Sequence, residues 1–204
     1  MRGRDIKRYG YNFADLWLIH THNGIKEKHI PPVDINLYPV IKAHLDKSYP
    51  ALEKRQDKGI TPYNLRNCAY TDDFSKQKII WGEISDKSKF CFDENGFLLD
   101  VTTFFMTGNH LKYLLAILNS RLCEWMFNQI GTTTGVGTNR WKKYKLETLF
   151  VKTPSISEEN KLGSLIDKLR EKEYYDKELI LDIDMSIYKL YNINNTEIEF
   201  LNSY

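Results

Sequence analysis

Residues 110–130, HLKYLLAILNSRLCEWMFNQI, are the stretch that decides the fold. Apolar side chains recur in this stretch every three or four residues, a spacing that places them on one face of a helix. They are Leu111, Leu114, Leu115, Leu118, Leu122, Trp125 and Met126. The sequence therefore predicts one long amphipathic helix over 110–130, packed on a core and ended by Gly131.

The residues before this helix predict a small sheet. Segments 78–81, 89–92 and 97–107 are rich in β-branched and aromatic residues, which favour strands. The turn signal Asp93-Glu94-Asn95-Gly96 predicts a hairpin between its flanking segments. Further upstream, residues 15–20 predict a short buried strand, whereas 41–58 predict a helix that Pro50 breaks or restarts.

The residues after Pro154 predict helices over 158–173 and 176–191 and a third, short helix capped by Thr196. Ser157 with the two glutamates after it suits the first of these helix starts. The predicted fold class is α/β in the mixed, α+β sense: a small mixed sheet flanked by helices and followed by a C-terminal helical segment. We place the main domain at 1–154 and a helical connector or tail at 155–204.

Composition bounds the class of protein. A chain of 204 residues with 42% apolar residues can bury a core of its own. No run approaches the ~20 apolar residues that span a bilayer, and the charged N-terminus lacks a signal-peptide core. Three widely spaced cysteines suit a reducing compartment better than a disulfide framework. We expect a cytoplasmic protein with no membrane partner.

Charge is distributed unevenly, although the formal net charge is only +2. Residues 155–204 hold 11 acidic and 6 basic side chains, which leaves 16 acidic and 23 basic ones in residues 1–154. The basic residues cluster at the start, over 2–8, and over 140–145. A basic body with an acidic tail is typical of a polyanion-binding domain joined to a structural or protein-binding segment, although chance can also produce it.

The loop over 131–143, GTTTGVGTNRWKK, is the most unusual stretch. Small residues allow a close approach to phosphates, hydroxyls and amides donate to them, and bases neutralise them. Arg140 also suits a guanine edge and Asn139 an adenine. The pattern matches neither a nucleotide P-loop nor a dinucleotide fingerprint. DNA contact and a flexible surface loop remain open. The candidate contacts are Thr133, Thr134, Thr138, Asn139, Arg140, Lys142 and Lys143.

A second candidate region spans residues 52–66, LEKRQDKGITPYNLR. Its bases can neutralise phosphates, and its tyrosine and asparagine can meet a sugar, phosphate or base. A solvated helix end explains the same composition. The candidate contacts are Arg55, Lys58, Tyr63, Asn64 and Arg66.

Catalytic patterns are weak. His20 and His22 alternate around Thr21 and would share one strand face, but no third metal ligand is near in sequence. Asp72, Asp73 and Glu83 are conceivable Mg²⁺ ligands of a small nuclease, yet no lysine stands two residues after Glu83. The sequence 30–33, IPPV, lacks the polar and aromatic residues of an amino-methyltransferase motif. We therefore predict no catalytic residue and no metal site.

On these motifs the chain resembles the TaqI-like C-terminal specificity domain of type II restriction–modification enzymes, which is related to type I specificity subunits. The most specific match is Leu114–Ser120, a helix reading LLAILNS. Segment 149–154 departs from the family's Leu-Pro-Ile-Pro, which leaves the docking of the connector helix open. The resemblance also covers 3–9, 38–55, 58–59, 63–66, 78–80, 92–102, 146–149 and 182–199.

The resemblance implies a non-catalytic module that reads duplex DNA, largely in the major groove, while a separate adenine methyltransferase or endonuclease portion acts on the target. This chain should need no cofactor, because S-adenosylmethionine and Mg²⁺ belong to the catalytic portion. We expect the chain to be a piece of a longer enzyme, a split subunit or a truncated gene product. The alternatives are a protein-interaction subunit that docks through its acidic helical tail and the small Mg²⁺-dependent nuclease.

Overall fold

The computed structural model describes residues 1–135 and 137–204. The chain forms two compact units, one built from residues 1–16 and 72–204 and the other from residues 17–71. The division predicted at residue 154 stays a prediction.

Most strands lie in the middle of the chain, between two short N-terminal helices and a longer helical C-terminal part. In chain order they are α1 (Pro39–Asp46), α2 (Tyr49–Lys54), β1 (Lys78–Gly82), β2 (Ile84–Ser85), β3 (Phe90–Asp93), β4 (Thr103–Met106), α3 (Leu111–Leu118), α4 (Arg121–Ile130), β5 (Asn139–Arg140), α5 (Lys143–Leu146), α6 (Ile156–Glu171), α7 (Lys177–Leu190) and α8 (Asn195–Ser203). Single 3₁₀ turns lie at Gly3–Asp5, Lys26–Lys28, Ile35–Leu37 and Thr71–Ser75. The mixed α/β class is confirmed.

Strand β1 is the centre of the larger sheet, which has the order β3-β1-β4 with antiparallel pairing. A single parallel bridge adds Tyr9 beside Cys91. Ile79, Ile80 and Trp81 of β1 are buried because α3 covers one face and residues of the N-terminal segment cover the other. The strands predicted at 78–81 and 89–92 are therefore confirmed.

The predicted hairpin across residues 93–96 is wrong in its pairing. The turn exists, since the Asp93 carboxylate accepts the backbone N–H groups of Asn95 and Phe97 and Gly96 has a φ of +75°. However, β3 and β4 both pair with β1 and not with each other. Asp93 also meets Lys78 at 2.5 Å in a fully buried ion pair, which ties the turn to the central strand.

The helix predicted over 110–130 is two helices, α3 and α4, separated at Asn119 and Ser120. The Ser120 hydroxyl accepts the N–H of Cys123 and so caps α4. The buried Asn119 side chain accepts the Phe90 N–H at 3.0 Å and donates to the Phe90 carbonyl at 2.9 Å. The amide thus pairs with the edge of β3 as a neighbouring strand would, which joins the helices to the sheet.

The C-terminal helices complete the core of this unit. The apolar faces of α6 and α7 pack on each other and on α3 and α4, with Leu162, Ile166, Leu169, Ile183, Ile187 and Tyr188 buried. The N-terminal segment is fixed to α7, because Arg8 donates to the buried Asp184 at 3.1 Å. The residues that cap α6 and α8 are Ser155 and Asn194, each two residues before the predicted cap, Ser157 or Thr196.

The smaller unit contains α1 and α2. Pro50 lies in the first turn of α2, so the predicted restart at this proline is confirmed. The buried strand predicted over 15–20 is wrong, because the segment forms no strand and Leu16, Trp17 and Leu18 are more than half exposed. An apolar run indicates burial, but a strand also requires a neighbour with free backbone groups.

We expect Asn119→Ala to lower the free energy of unfolding by about 3 kcal/mol, because two buried backbone groups of Phe90 lose their partners. Asn109→Ala is the matched control, since Asn109 is exposed on the preceding turn and should change stability by less than about 0.5 kcal/mol. Urea unfolding followed by circular dichroism measures both. Equal stability of the two variants would contradict the bridging role of Asn119.

Candidate nucleic-acid interface

The threonine- and glycine-rich stretch over 132–142, here called the arm, folds back on itself like a hairpin. Arg140 N–H donates to Thr132 O at 3.0 Å, and Thr134 N–H donates to Thr138 O at 2.9 Å. The Thr134 and Thr138 hydroxyls lie 2.5 Å apart. Gly135 and Gly137 have φ values of +83° and +75°, which glycine adopts without strain, and among the described residues none but their chain neighbours crowds them. Val136 lies outside the described residues.

Trp141 anchors the base of the arm. Its ring stacks on Phe127 with centroids 3.8 Å apart and planes at 7°, and it is 1% exposed. Its backbone N–H donates to Glu83 O at 2.7 Å, and its carbonyl accepts the Trp81 indole N–H at 2.8 Å. Because this side chain points inward, the residues on either side of it, Arg140 and Lys142, are held at the surface.

Glu83 brings the two flanking cations together. Its carboxylate lies 2.9 Å from Arg140 Nη1 and 2.7 Å from Lys142 Nζ. The hydrogen bond from Lys142, more than any other contact, lowers the pKa of Glu83 below its ordinary value. One acid thus holds two bases in fixed positions, and the local charge balance stays positive.

The other arm residues differ in what they can offer a ligand. Thr133 and Lys143 are exposed, and Lys143 makes only a 3.6 Å contact with Glu147. Asn139 is 9% exposed, and its amide donates to Asn128 Oδ1 at 2.5 Å. The residue predicted to meet adenine therefore supports the arm internally.

In the smaller unit, two of the five candidate contacts, Asn64 and Arg55, hold the loop over 58–65 together. The Asn64 side chain is 1% exposed, donates to Val33 O at 3.0 Å and accepts from the Thr61 hydroxyl at 2.5 Å. Arg55 donates to Asn64 O at 2.8 Å. Burial and internal hydrogen bonds occupy the Asn64 amide, and its role as a DNA contact stays a prediction.

Tyr63 is tied to α1 of the same unit. Its hydroxyl donates to Asp46 at 2.5 Å, and Lys42 lies 5.4 Å from its ring centroid. The hydrogen bond to Asp46 raises the pKa of the Tyr63 hydroxyl. The ring remains partly exposed, so its edge is open to a ligand although its hydroxyl is used.

Lys58 and Arg66 are the exposed cations of this loop. Lys58 donates to the Glu53 carbonyl at 2.6 Å. Arg66 meets Asp57 at 3.3 Å, but the two side chains are 70% and 74% exposed, so solvent weakens the pair. Arg66 is therefore available to exchange its carboxylate for a base edge or a phosphate.

Metal-ligand geometry is missing from the described residues, among which no group of three His, Cys, Asp or Glu side chains could hold an ion. Glu83 is held by Arg140 and Lys142, and Asp73 is paired with Lys76 at 2.6 Å. His20 and His22 have ring centroids 5.6 Å apart but do not lie on a strand. These positions give the nuclease hypothesis no structural support.

Membrane insertion has no candidate helix in the part of the chain that the structure describes, since none is long and apolar enough to cross a bilayer.

A mixed α/β fold that holds Arg140 and Lys142 side by side on an anchored arm is typical of a domain that binds polyanions. The family comparison makes the class specific. The model of the TaqI-like C-terminal specificity domain matches residues 1–151, and the chain belongs to this family. No curated protein matches the chain. The predicted resemblance is confirmed, and it places the chain in DNA sequence recognition within restriction–modification systems.

We expect Glu83→Gln to strengthen binding to a mixed-sequence DNA duplex several-fold at low salt, because Arg140 and Lys142 lose the carboxylate that competes with phosphate. Stability should change by less than about 1 kcal/mol, since this cluster is partly exposed. Fluorescence anisotropy measures the affinity. Glu171→Gln on α6 is the control for net charge, because it removes an exposed carboxylate from another surface. Weaker binding of Glu83→Gln than of this control would contradict the prediction.

Proposed function

We propose that this chain is a sequence-specific duplex-DNA recognition module that positions a separate adenine methyltransferase or endonuclease portion on its target. The observation that carries the proposal is the arm over 132–142, in which a buried tryptophan fixes two cations at the surface of a chain from a specificity-domain family. Recognition and chemistry are then divided between different parts of a restriction–modification enzyme.

Phosphate contact is the role that we assign to Arg140, Lys142 and Lys143. Their side chains are 45%, 35% and 74% exposed, so a phosphate can replace the carboxylates that they now meet. The Thr133 and Thr138 hydroxyls on the same arm can donate to neighbouring phosphate or sugar oxygens. These contacts supply affinity and orientation without reading sequence.

Base reading is the role that we assign to Arg66, with the ring of Tyr63 beside it in the chain. A guanidinium forms two parallel hydrogen bonds with a guanine edge, and Arg66 is exposed enough to reach one. Lys58 begins the loop over 58–65 and can support phosphate contact, and Arg55, at the end of α2, holds the shape of this loop.

The catalytic portion, with S-adenosylmethionine and Mg²⁺, is part of this proposal and is expected to lie outside this chain. The C-terminal helices are less suited to dock a partner than their sequence suggests, because the apolar faces of α6 and α7 are used by the chain's own core. Apolar side chains that stay exposed on these helices include Leu181 and Met185 of α7 and Phe200 of α8, and an interface could use them together with the polar faces.

Duplex binding that weakens steeply with salt is the first expected result, because each phosphate that is neutralised releases counterions. Arg140→Ala with Lys142→Ala should lower affinity roughly tenfold and reduce the slope of log K against log salt by about 1.8. The control removes Lys161 and Lys189, exposed bases of α6 and α7 that have no ion pair among the described residues. Equal slopes for the two double variants would contradict the role of the arm.

Sequence preference is tested by selection from a random duplex library. We expect the unmodified chain to recover a short motif, and Arg66→Ala to lose preference at one base pair at a cost of about 1–3 kcal/mol there. Arg140→Ala should instead weaken binding to all sequences alike. Recovery of no motif by the unmodified chain would overturn sequence-specific recognition.

A further inference from the structure

A groove of about 720 Å³ brings the two basic clusters of the sequence together. Its walls include Arg2, Arg4 and Lys7 from the N-terminal segment and Thr138 and Arg140 from the arm. In sequence these clusters are more than 130 residues apart.

The N-terminal segment is held rigidly where it lines this groove. Gly3 N–H donates to the Thr102 hydroxyl at 3.0 Å, and a Cβ on Gly82 would lie 3.2 Å from the Gly3 Cα. The two backbones are so close that a side chain at this crossing would be crowded. Further along, Ile6 is 2% exposed, and Tyr9 is completely buried.

Two bases of this segment, Arg4 and Lys7, lie at the surface. Arg4 and Lys7 are both exposed, whereas Asp5 and Ile6 between them are buried. Because the segment is fixed on both sides, the two cations are presented from a backbone that needs little ordering when a ligand binds.

Most charged side chains that line the groove are in ion pairs, but within the described residues Arg4 and Lys7 are not. Arg2 is paired with Asp5 at 2.8 Å, and Asp86 is paired with Lys89 at 2.5 Å. Glu83 is shared by Arg140 and Lys142, and the Asp100 carboxylate accepts from Thr102. Within the described residues, neither Arg4 nor Lys7 has an ion pair or a side-chain hydrogen bond.

We propose that Arg4 and Lys7 form, with Arg140 and Thr138, a continuous binding site for the phosphate backbone of duplex DNA. The inference rests on the proposed function and extends it, because it adds the N-terminal segment to the DNA-binding surface. Two rigidly presented and unpaired bases on one wall face an arm that supplies a third base and a hydroxyl. This arrangement suits consecutive phosphates of one strand.

The experiment uses the 204-residue chain and a fluorescent duplex of mixed sequence, with anisotropy titrations at several salt concentrations. Arg4→Gln with Lys7→Gln should weaken binding roughly tenfold and reduce the salt slope by about 1.8, as expected for two lost phosphate contacts. Arg4→Lys with Lys7→Arg should restore most of both. The matched control is Lys161→Gln with Lys189→Gln, which removes the same charge from α6 and α7. Thermal unfolding of each variant establishes that it is folded.

The outcomes separate the two proposals. Loss of affinity and slope in the first variant, with rescue by the charge-preserving one, supports the site. Binding by the unmodified chain with equal behaviour of the first variant and the control overturns this inference and leaves the proposed function standing. Failure of the unmodified chain to bind duplex with steep salt dependence overturns the proposed function, and this inference with it. A preference for single-stranded over duplex DNA, retained in all variants, also overturns the site.

Discussion

The burial of Trp141 is the constraint on which the rest of the candidate interface depends. Its ring is stacked on Phe127, and its backbone is hydrogen-bonded to the main chain next to β1. A large aromatic side chain in a close-packed core has one position, so the residues on either side of it have fixed directions as well. The stack therefore converts a glycine-rich loop, which would otherwise adopt many conformations, into a defined support for Arg140 and Lys142.

A second constraint joins the helices to the sheet. The Asn119 amide pairs with the edge of β3, and Ser120 beside it starts a new helix. Two adjacent polar residues thus end one helix, begin another and close a strand edge. This gives a physical reason for the Leu-Asn-Ser pattern in the stretch that most resembles the family. It also explains why α4 takes a direction that lets Phe127 meet Trp141.

Local chemistry allowed much of the fold to be predicted from the sequence. Apolar spacing located the strands at 78–81 and 89–92, and proline chemistry located the restart at Pro50. The sequence does not show which strands pair. The turn at Asp93–Gly96 indicates that the chain reverses direction, but not that β1 pairs with both flanking strands. The exposed run Leu16–Leu18 shows the same limit, since hydrophobicity carries no information on strand pairing. For the interface, composition indicates the cations. The burial of Asn64 and Asn139 and the contacts of Glu83 with Arg140 and Lys142 depend on tertiary packing, which composition does not show. An inward aromatic residue between two bases, as at Trp141, is the pattern that would have indicated the anchor.

The arm is packed into the core at Trp141 and exposed at Gly135 and Gly137. Chain neighbours aside, no described residue lies within 4 Å of where a side chain on Gly135 or Gly137 would begin, whereas Trp141 is buried in the core. Replacements at the exposed threonines of the arm therefore disturb few packed neighbours, and those at its base disturb many. We expect this arrangement to allow evolution of new DNA targets, because surface side chains of the arm can be exchanged at little cost in stability. Selection for folding then acts on a small set of interior positions.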